Sequence, residues 1–199
     1  MNGTAQTTIL TVARFREIAP NLSAPRARLY LTHLMAAAAE YSIDSPVRLA
    51  AWLAQLAHET DSFKYLQEIW GPTPAQRRYE PPSDLARTLG NTKPGDGKRF
   101  KGRGFVMITG RDNYRKFGAL LGLDLEGDPE QAAQPAIAAR IAGAYWKNKR
   151  LNEPADAGDF ETITRRINGG MNGWESRLEY WARAKRVLGI SEKGVSDGG

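Results

Sequence analysis

The sequence predicts a mainly α-helical domain that is interrupted by one long irregular region. Apolar residues recur at three- and four-residue spacing over most of the chain, and capping residues precede these segments. Prolines and glycines concentrate between Gly71 and Gly104, which disfavours regular helix there. A chain of 199 residues is long enough for about one domain. We therefore expect a single domain over residues 1–190 and a flexible, polar tail over residues 191–199.

Three helices are predicted in the first third of the chain. A short helical segment covers residues 9–18. Ser23 and Pro25 suit the N-cap and first turn of a second helix, which continues to about residue 41. A third helix begins at residues 45–46 and runs to about residue 60. Its apolar stripe is the clearest in this part of the sequence and consists of Leu49, Trp52, Leu53 and Leu56.

Helices resume after the irregular region, preceded by a short strand predicted over residues 105–108. Tyr114, Phe117 and Leu121 mark one helix. A further helix is predicted to be capped at residues 128–129, to begin again at residue 135 and to continue through residue 145. Another helix follows, which Asp159 caps and a pair of glycines ends. The last amphipathic stripe consists of Trp174, Leu178, Trp181 and Leu188.

The composition excludes several classes of site. The chain has no cysteine and only two histidines, so it lacks a cysteine nucleophile and the usual ligands of zinc and iron–sulfur centres. The segment from His58 to Ser62 begins like a zinc-protease motif, but Ser62 stands where the second histidine is required. No phosphate-binding loop or serine-hydrolase motif is present. We expect neither a metal nor a cofactor.

The net charge of +6 favours an anionic partner, such as nucleic acid, a membrane surface or an anionic cell wall. Charge alone does not separate these partners from an ordinary basic surface. The longest apolar run, residues 34–39, is far shorter than the ~20 residues of a membrane span. Residues 1–4 lack the basic start of a signal peptide. We therefore expect a protein made in the cytoplasm, without stable membrane insertion.

Glu59 is the first candidate for chemistry. On a helical wheel it lies at the edge of the apolar stripe, at the end of the third helix and beside a loop. Partial burial disfavours the charged form of a carboxyl group, and a carboxylic acid that keeps its proton can donate it to a leaving group. A solvated glutamate at a helix end is the alternative. His58 lies opposite the stripe, which favours a structural role.

Glu80 is the second candidate, in the irregular region beside Arg77, Arg78 and Tyr79. Neighbouring arginines favour an ionised carboxylate. One protonated and one ionised carboxyl group facing a groove is the arrangement that glycosidic cleavage requires. An ordinary surface ion pair with either arginine is the alternative, and spacing alone leaves both open.

A third segment, residues 99–105, interleaves basic residues with phenylalanines and glycines. Such a pattern occurs in proteins that bind single-stranded nucleic acid, but here it is a weak signal. Glycines on both sides of Arg103 also suit a tight turn that approaches a ligand closely.

Residues 50–60 resemble the segment that bears the catalytic acid in glycoside hydrolase family 19, the chitinases and related endolysins. Four further segments match in the order of the family, and the similarity extends over roughly residues 10–190. The Gly95–Asp96–Gly97 form and the absence of cysteine resemble the endolysin branch. The four segments are residues 79–80, 89–97, 100–114 and 167–170.

The resemblance implies a lysozyme-like α-helical fold with two lobes around a central groove, and inversion at the anomeric carbon. Glu59 matches the general acid, Glu80 the general base, and Thr109 the residue that helps to hold the attacking water. Met107 stands where the family usually has glutamine, and it lacks the amide hydrogen bonds of that residue. The resemblance further implies substrate binding by Tyr79, Arg103, Asn113, Asn168 and, near the acid, Arg177.

The leading interpretation is therefore an endolysin-type hydrolase that cuts β-1,4 bonds of peptidoglycan. It would act as a monomer after release from the host cytoplasm to the wall. A chitinase is the nearest alternative, and a lytic transglycosylase would need one acid and no activated water. A non-catalytic wall-binding module is disfavoured because a binder needs no carboxylate pair. A nucleic-acid-binding protein is the least favoured reading, and we expect no nucleic acid partner.

Overall fold

The computed structural model describes residues 10–191, and it is mainly α-helical as predicted. The side chains of Ser45 and Asp159 accept hydrogen bonds from backbone N–H groups of the first turn that follows them, so these two predicted helix starts are capped, whereas the side chain of Ser23 makes no such bond. The predicted tail from residue 192 onward lies outside the described residues. The first three helices are α1 (Val12–Ile18), α2 (Ala24–Glu40) and α3 (Pro46–Glu59).

The irregular region contains three helices of four or five residues, separated by turns: α4 (Pro74–Arg77), α5 (Asp84–Thr88) and α6 (Asp96–Arg99). The strand predicted over residues 105–108 is wrong. The backbone forms turns there, and Arg103 makes isolated bridges with Gln67 and Ile108. The positive φ angles of Gly104 (79°) and Met107 (48°) take the chain out of the extended conformation that a strand needs.

Five helices complete the described chain: α7 (Arg111–Leu121), α8 (Pro135–Asn148), α9 (Asn152–Asp156), α10 (Phe160–Asn168) and α11 (Trp174–Val187). A 3₁₀ turn over Pro129–Ala133 precedes α8, which agrees with the predicted restart at a proline. Helix α9 was not predicted, because five residues with a proline inside show no helical repeat.

The core consists of two hydrophobic clusters. The larger one surrounds α3, whose residues Ala50–Ala57 are all buried between α11 and the neighbouring helices. The smaller one lies along α7 and α8 and includes Phe100 and Tyr114. Tyr41 and Val106 pack against both clusters. This division agrees with a fold of two lobes. No helix within residues 10–191 combines the length and apolar character needed to cross a bilayer.

Candidate active site

A cavity of about 400 Å³, here called the main cavity, opens between the C-terminal end of α3 and the irregular region. Its volume lies in the range of small-molecule sites. Three carboxylates line it, and one of them, Asp61, is exposed and near Lys64. The other two are Glu59 and Glu68. The lining residues are Glu59, Thr60, Asp61, Tyr65, Gln67, Glu68, Ile69, Tyr79, Gly102, Met107 and Thr109.

Glu59 is held by a buried polar network that joins three helices. Arg177 of α11 donates a hydrogen bond to Glu59 Oε1 at 2.6 Å and another to the side chain of Gln55. Gln55 in turn donates to Thr164 of α10 at 2.9 Å. Arg177 is 2% exposed, and the Glu59 side chain 24%. Among the described residues, Glu59 Oε2 has no hydrogen-bond partner, so this oxygen is available to a ligand.

Arg177 therefore lies beside Glu59 as predicted, but its burial corrects the substrate-binding role. It does not line the main cavity, and it acts by orienting the carboxyl group of Glu59.

The charge of Glu59 also affects the pKa of the nearby Tyr145 hydroxyl. Burial, and then the charge of Glu59, raise the Tyr145 pKa to about 12, so its hydroxyl stays a donor, here to the Ile167 carbonyl.

His58 lies between α3 and α11, not in the main cavity. Its Nδ1 is 3.1 Å from the Ser176 hydroxyl, and burial followed by Arg177 lowers the pKa of its ring. A neutral imidazole packed between two helices agrees with the structural role predicted for it.

Glu68 is a functional candidate that the sequence reasoning missed. Gly102 donates its backbone N–H to Glu68 Oε2 at 3.0 Å, and Gln76 donates to Oε1 at 2.9 Å. Glu68 also donates its own N–H to the Gly102 carbonyl at 2.8 Å. Gln76 is 4% exposed and is fixed by the capping box of α4 with Thr73. Two loops and a short helix thus orient this carboxylate.

One signal could have identified Glu68. It is the sole carboxylate between Asp61 and Glu80, in a segment that no helical repeat explains. Its partners are 8 and 34 residues further along the chain, so the pattern around it carries no trace of them.

Thr109 borders the position that Glu68 faces. A Cβ atom added to Gly102 would lie 3.3 Å from Thr109 Oγ1 and 3.4 Å from Glu68 Oε2, so both oxygens border one small space. Thr109 donates its hydroxyl to the Met107 carbonyl at 3.0 Å. Asn113 of α7 donates to the Thr109 carbonyl at 2.7 Å and does not line the cavity, so it supports Thr109.

Glu80 is not brought together with Glu59. It does not line the main cavity, and its two oxygens accept hydrogen bonds from the backbone N–H groups of Gly95 (2.8 Å) and Lys98 (3.2 Å). A Cβ on Gly97 would lie 2.7 Å from Glu80 Oε1, so the carboxylate sits directly on α6. The ion pairs with Arg77 or Arg78 are not formed, because the backbone of α6 supplies the partners.

Of the other residues predicted to contact substrate, Tyr79 lines the main cavity and Arg103 does not. Tyr79 lines the main cavity near Trp70, and burial followed by Glu68 raises its pKa. Arg103 does not line the main cavity: the residue is 2% exposed, forms an ion pair with Glu130, and donates to the Tyr114 hydroxyl at 2.8 Å, so the predicted contact with a ligand in that cavity is not formed. Arg103 thus stabilises the glycine-flanked turn, which the sequence had suggested would approach a ligand.

Asn168 ends α10 and does not line the main cavity. Its Nδ2 is buried, and no hydrogen-bond partner for it is found in the part of the chain that the structure describes. Within the same residues, no group of three or more His, Cys, Asp or Glu side chains is arranged to hold a metal ion.

Comparison with known families agrees with this architecture. Residues 35–173 match the family model Glyco_hydro_19, described as chitinase class I. A glycosyl hydrolase family 19 domain-containing protein of Haemophilus influenzae is 34% identical over 155 residues, 66% of this chain and 76% of that protein. An Arabidopsis thaliana endochitinase is 39% identical over 150 residues, 72% of this chain. The chain spans about half the length of that plant protein, 48%.

Two solved structures share the fold. Chitinase C from Streptomyces griseus superposes with a TM-score of 0.72 at 23% identity, over 96% of this chain and 80% of that one. The class IV chitinase of Zea mays gives 0.64 at 22% identity, over 93% of this chain and 95% of that one. At this level of identity the likeness establishes the fold.

Proposed function

Because the chain belongs to glycoside hydrolase family 19, we propose that it hydrolyses the β-1,4 bonds of peptidoglycan glycan strands by an inverting acid/base mechanism. One observation carries the chemical part of this proposal. Glu59 and Glu68, two carboxylates fixed by different elements, line one cavity of a volume suited to a small ligand. A pair of carboxyl groups across a bound sugar is what inverting hydrolysis requires.

In this mechanism Glu59 is the general acid and Glu68 the general base. Glu59 gives its proton to the glycosidic oxygen as the bond from that oxygen to the anomeric carbon breaks. Glu68 takes a proton from a water molecule, whose oxygen bonds to the anomeric carbon from the opposite face. The Thr109 hydroxyl, which borders the same space as Glu68 Oε2, helps to hold that water. The reaction leaves the base protonated and the acid ionised, and solvent restores both.

Glu68 is preferred over Glu80 because of what each carboxylate faces. Glu68 lines the main cavity beside Thr109, whereas Glu80 sits on α6 with both oxygens bonded to backbone amides. A base must reach the water that it activates.

The choice of peptidoglycan is supported by charge and by the sequence at the start of α6. A net charge of +6 favours approach to an anionic wall. The Gly95–Asp96–Gly97 sequence and the absence of cysteine resemble the endolysin branch of the family. On this proposal the protein acts as a monomer on the wall after release from the host cytoplasm.

Chitin is the second candidate, and the relatives favour it. Arabidopsis proteins 38% and 39% identical to this chain are named endochitinases. Mass spectrometry of products from purified peptidoglycan and from chitin oligomers separates the two substrates. A 1,6-anhydro product from peptidoglycan would identify a lytic transglycosylase and contradict the water-activating role of Glu68.

The assignment of the base is tested by a matched pair, Glu68→Gln and Glu80→Gln. Loss of general base catalysis costs about 10²–10⁴-fold, so we expect Glu68→Gln to lose that much of kcat with an unchanged melting temperature. Glu80→Gln should lose less than about tenfold, because it alters a support and not the reaction. The reverse ranking would return the base to Glu80.

A further inference from the structure

A second cleft, here called the basic cleft, adjoins the main cavity at residues 101–103. Its volume is about 440 Å³. Its charged lining is four cations and one carboxylate: Lys98, Arg99, Lys101, Arg103 and Glu130. Its charge is therefore opposite to that of the main cavity, where Glu59, Asp61 and Glu68 meet.

Most of the positive charge in the basic cleft is not neutralised within the described protein. Glu130 pairs with the buried Arg103. Arg99 donates to the backbone carbonyls of Glu126 and Gly127, which carry no net charge. Within residues 10–191, the ammonium groups of Lys98 and Lys101 have neither a hydrogen-bond nor an ion-pair partner.

Neighbouring carboxylates do not supply the missing partners. The Glu126 carboxylate is bonded to Arg111 and Arg115. The Glu80 carboxylate accepts from the backbone at Gly95 and Lys98, at the rim of the cleft. The three uncompensated cations repel one another, and an anionic ligand would remove that repulsion.

The two cavities share one stretch of backbone, residues 101–103. Gly102 lines the main cavity, while Lys101 and Arg103, its neighbours in sequence, line the basic cleft. Burial, and then the charge of Arg103, lower the pKa of Lys101, and the charges of Glu130 and Glu68 oppose that effect. The Lys101 ammonium is thus partly enclosed and within electrostatic reach of the carboxylate that lines the main cavity.

We propose that the basic cleft binds carboxylate groups carried as substituents by the glycan strand whose backbone occupies the main cavity. The inference rests on the function proposed above. Lysine and arginine bind carboxylates through charge-assisted hydrogen bonds. Peptidoglycan carries carboxylates on its peptide substituents, whereas chitin is an uncharged polymer. The cleft is therefore a specificity determinant that favours the acidic glycan.

The test compares two double variants that remove the same charge. Lys98→Gln/Lys101→Gln alters the basic cleft, and Lys116→Gln/Lys147→Gln alters α7 and α8 outside both cavities. Each is assayed on teichoic-acid-free peptidoglycan, on the same peptidoglycan with its carboxyl groups converted to neutral amides, and on glycol chitin. Salt concentration is held constant, because net charge alone changes the rate of encounter.

We expect the KM of the cleft variant for native peptidoglycan to be about five- to tenfold above that of the control variant, because charge-assisted contacts to the substrate are lost. The kcat values of the two variants should agree within about twofold, since these contacts do not involve the reacting atoms. On amidated peptidoglycan the two variants should not differ. Equal KM values for both variants on native peptidoglycan would overturn the inference, as would an equal loss for the cleft variant on the amidated polymer. A wild-type enzyme that cleaves glycol chitin but releases nothing from peptidoglycan would instead overturn the proposed function.

Discussion

The two walls of the main cavity position a carboxylate in different ways. On the helical wall, Glu59 ends α3 and is oriented by the side chain of Arg177 from α11. On the loop wall, Glu68 is oriented by the backbone of Gly102 and by Gln76. The first arrangement depends on one buried cation, and the second on the path of the chain. A single substitution should therefore damage the helical wall more than the loop wall.

The largest effect is expected for Glu59→Gln, which keeps the shape of the helical wall and removes its acid. Because general acid catalysis contributes about 10²–10⁴-fold, kcat should fall by about 10³-fold or more. Circular dichroism should show an unchanged fold. A variant that still cleaves substrate at the wild-type rate would place the acid elsewhere, on Asp61 or Glu68.

Arg177→Met should have the second-largest effect, because it leaves Glu59 and the buried side chain of Gln55 without the hydrogen-bond donor that they share. Removing one partner of a buried ion pair costs about 3–5 kcal/mol, and the partial exposure of Glu59 reduces this to about 2–4 kcal/mol. We expect kcat to fall about 100-fold with little change in KM, since the acid loses its orientation.

Denaturant unfolding and steady-state kinetics measure both effects, with Arg177→Lys as the conservative control. The lysine variant should recover part of the stability but less of kcat, because an ammonium group lacks the planar fork of the guanidinium. If both variants lost stability with no loss of kcat, the arginine would support the fold and not the acid.

Gly102→Ala tests the loop wall at its tightest point. The new methyl group would contact Thr109 Oγ1 at 3.3 Å and Glu68 Oε2 at 3.4 Å, so these groups must shift by a few tenths of an ångström. A misplaced base should lower kcat about tenfold, less than the change expected on the helical wall. Kinetics combined with a thermal melt measures this, and a loss larger than that of Arg177→Met would reverse the comparison of the two walls.

The smallest effect concerns an ion-pair network outside the main cavity, which joins α6 to α7. Hydrogen bonds from Arg115 and then Arg111 lower the pKa of Glu126 from 4.5 to about 2. Arg111 also bonds the buried Asp96, which accepts from the backbone at Thr92 and Lys93. A carboxyl with a lowered native pKa stabilises the fold above its unfolded pKa and loses this contribution as pH falls through the native value.

The melting temperature of the wild type should therefore fall between about pH 4.5 and pH 2 more than that of Glu126→Gln. Parallel melts of both proteins from neutral to acid pH give the difference. If the two melting temperatures fell equally with pH, the ion pairs of Glu126 would contribute nothing to the stability of the fold.

Helical periodicity explains why the sequence predicted the helical wall. The stripe from Leu49 to Leu56 sets the face of α3, and that face places Glu59 at the cavity. The positions of the longer helices followed from the same repeat and from their caps. The partner Arg177, 118 residues away, came from family resemblance, because no local pattern links it to Glu59.

The loop wall had no such pattern. Glu68 owes its orientation to Gly102 and Gln76, and a sequence does not show which backbone amide a distant loop will present. Arginines beside Glu80 indicated an ionised base, but backbone N–H groups at the start of α6 and within it donate hydrogen bonds to that carboxylate. Arg103 looked suited to a ligand, but Glu130 takes its charge inside the protein. In each case a contact made on folding replaced the one that local sequence indicated.

The alternation of sides along residues 101–103 also bears on changes in chain length. Because Gly102 lines the main cavity while Lys101 and Arg103 line the basic cleft, deleting or inserting one residue here would place a cation where the glycine borders Glu68 and Thr109. Homologous chains should therefore tolerate loop-length variation around α5 far better than between residues 100 and 104, although both stretches lie in the same irregular region.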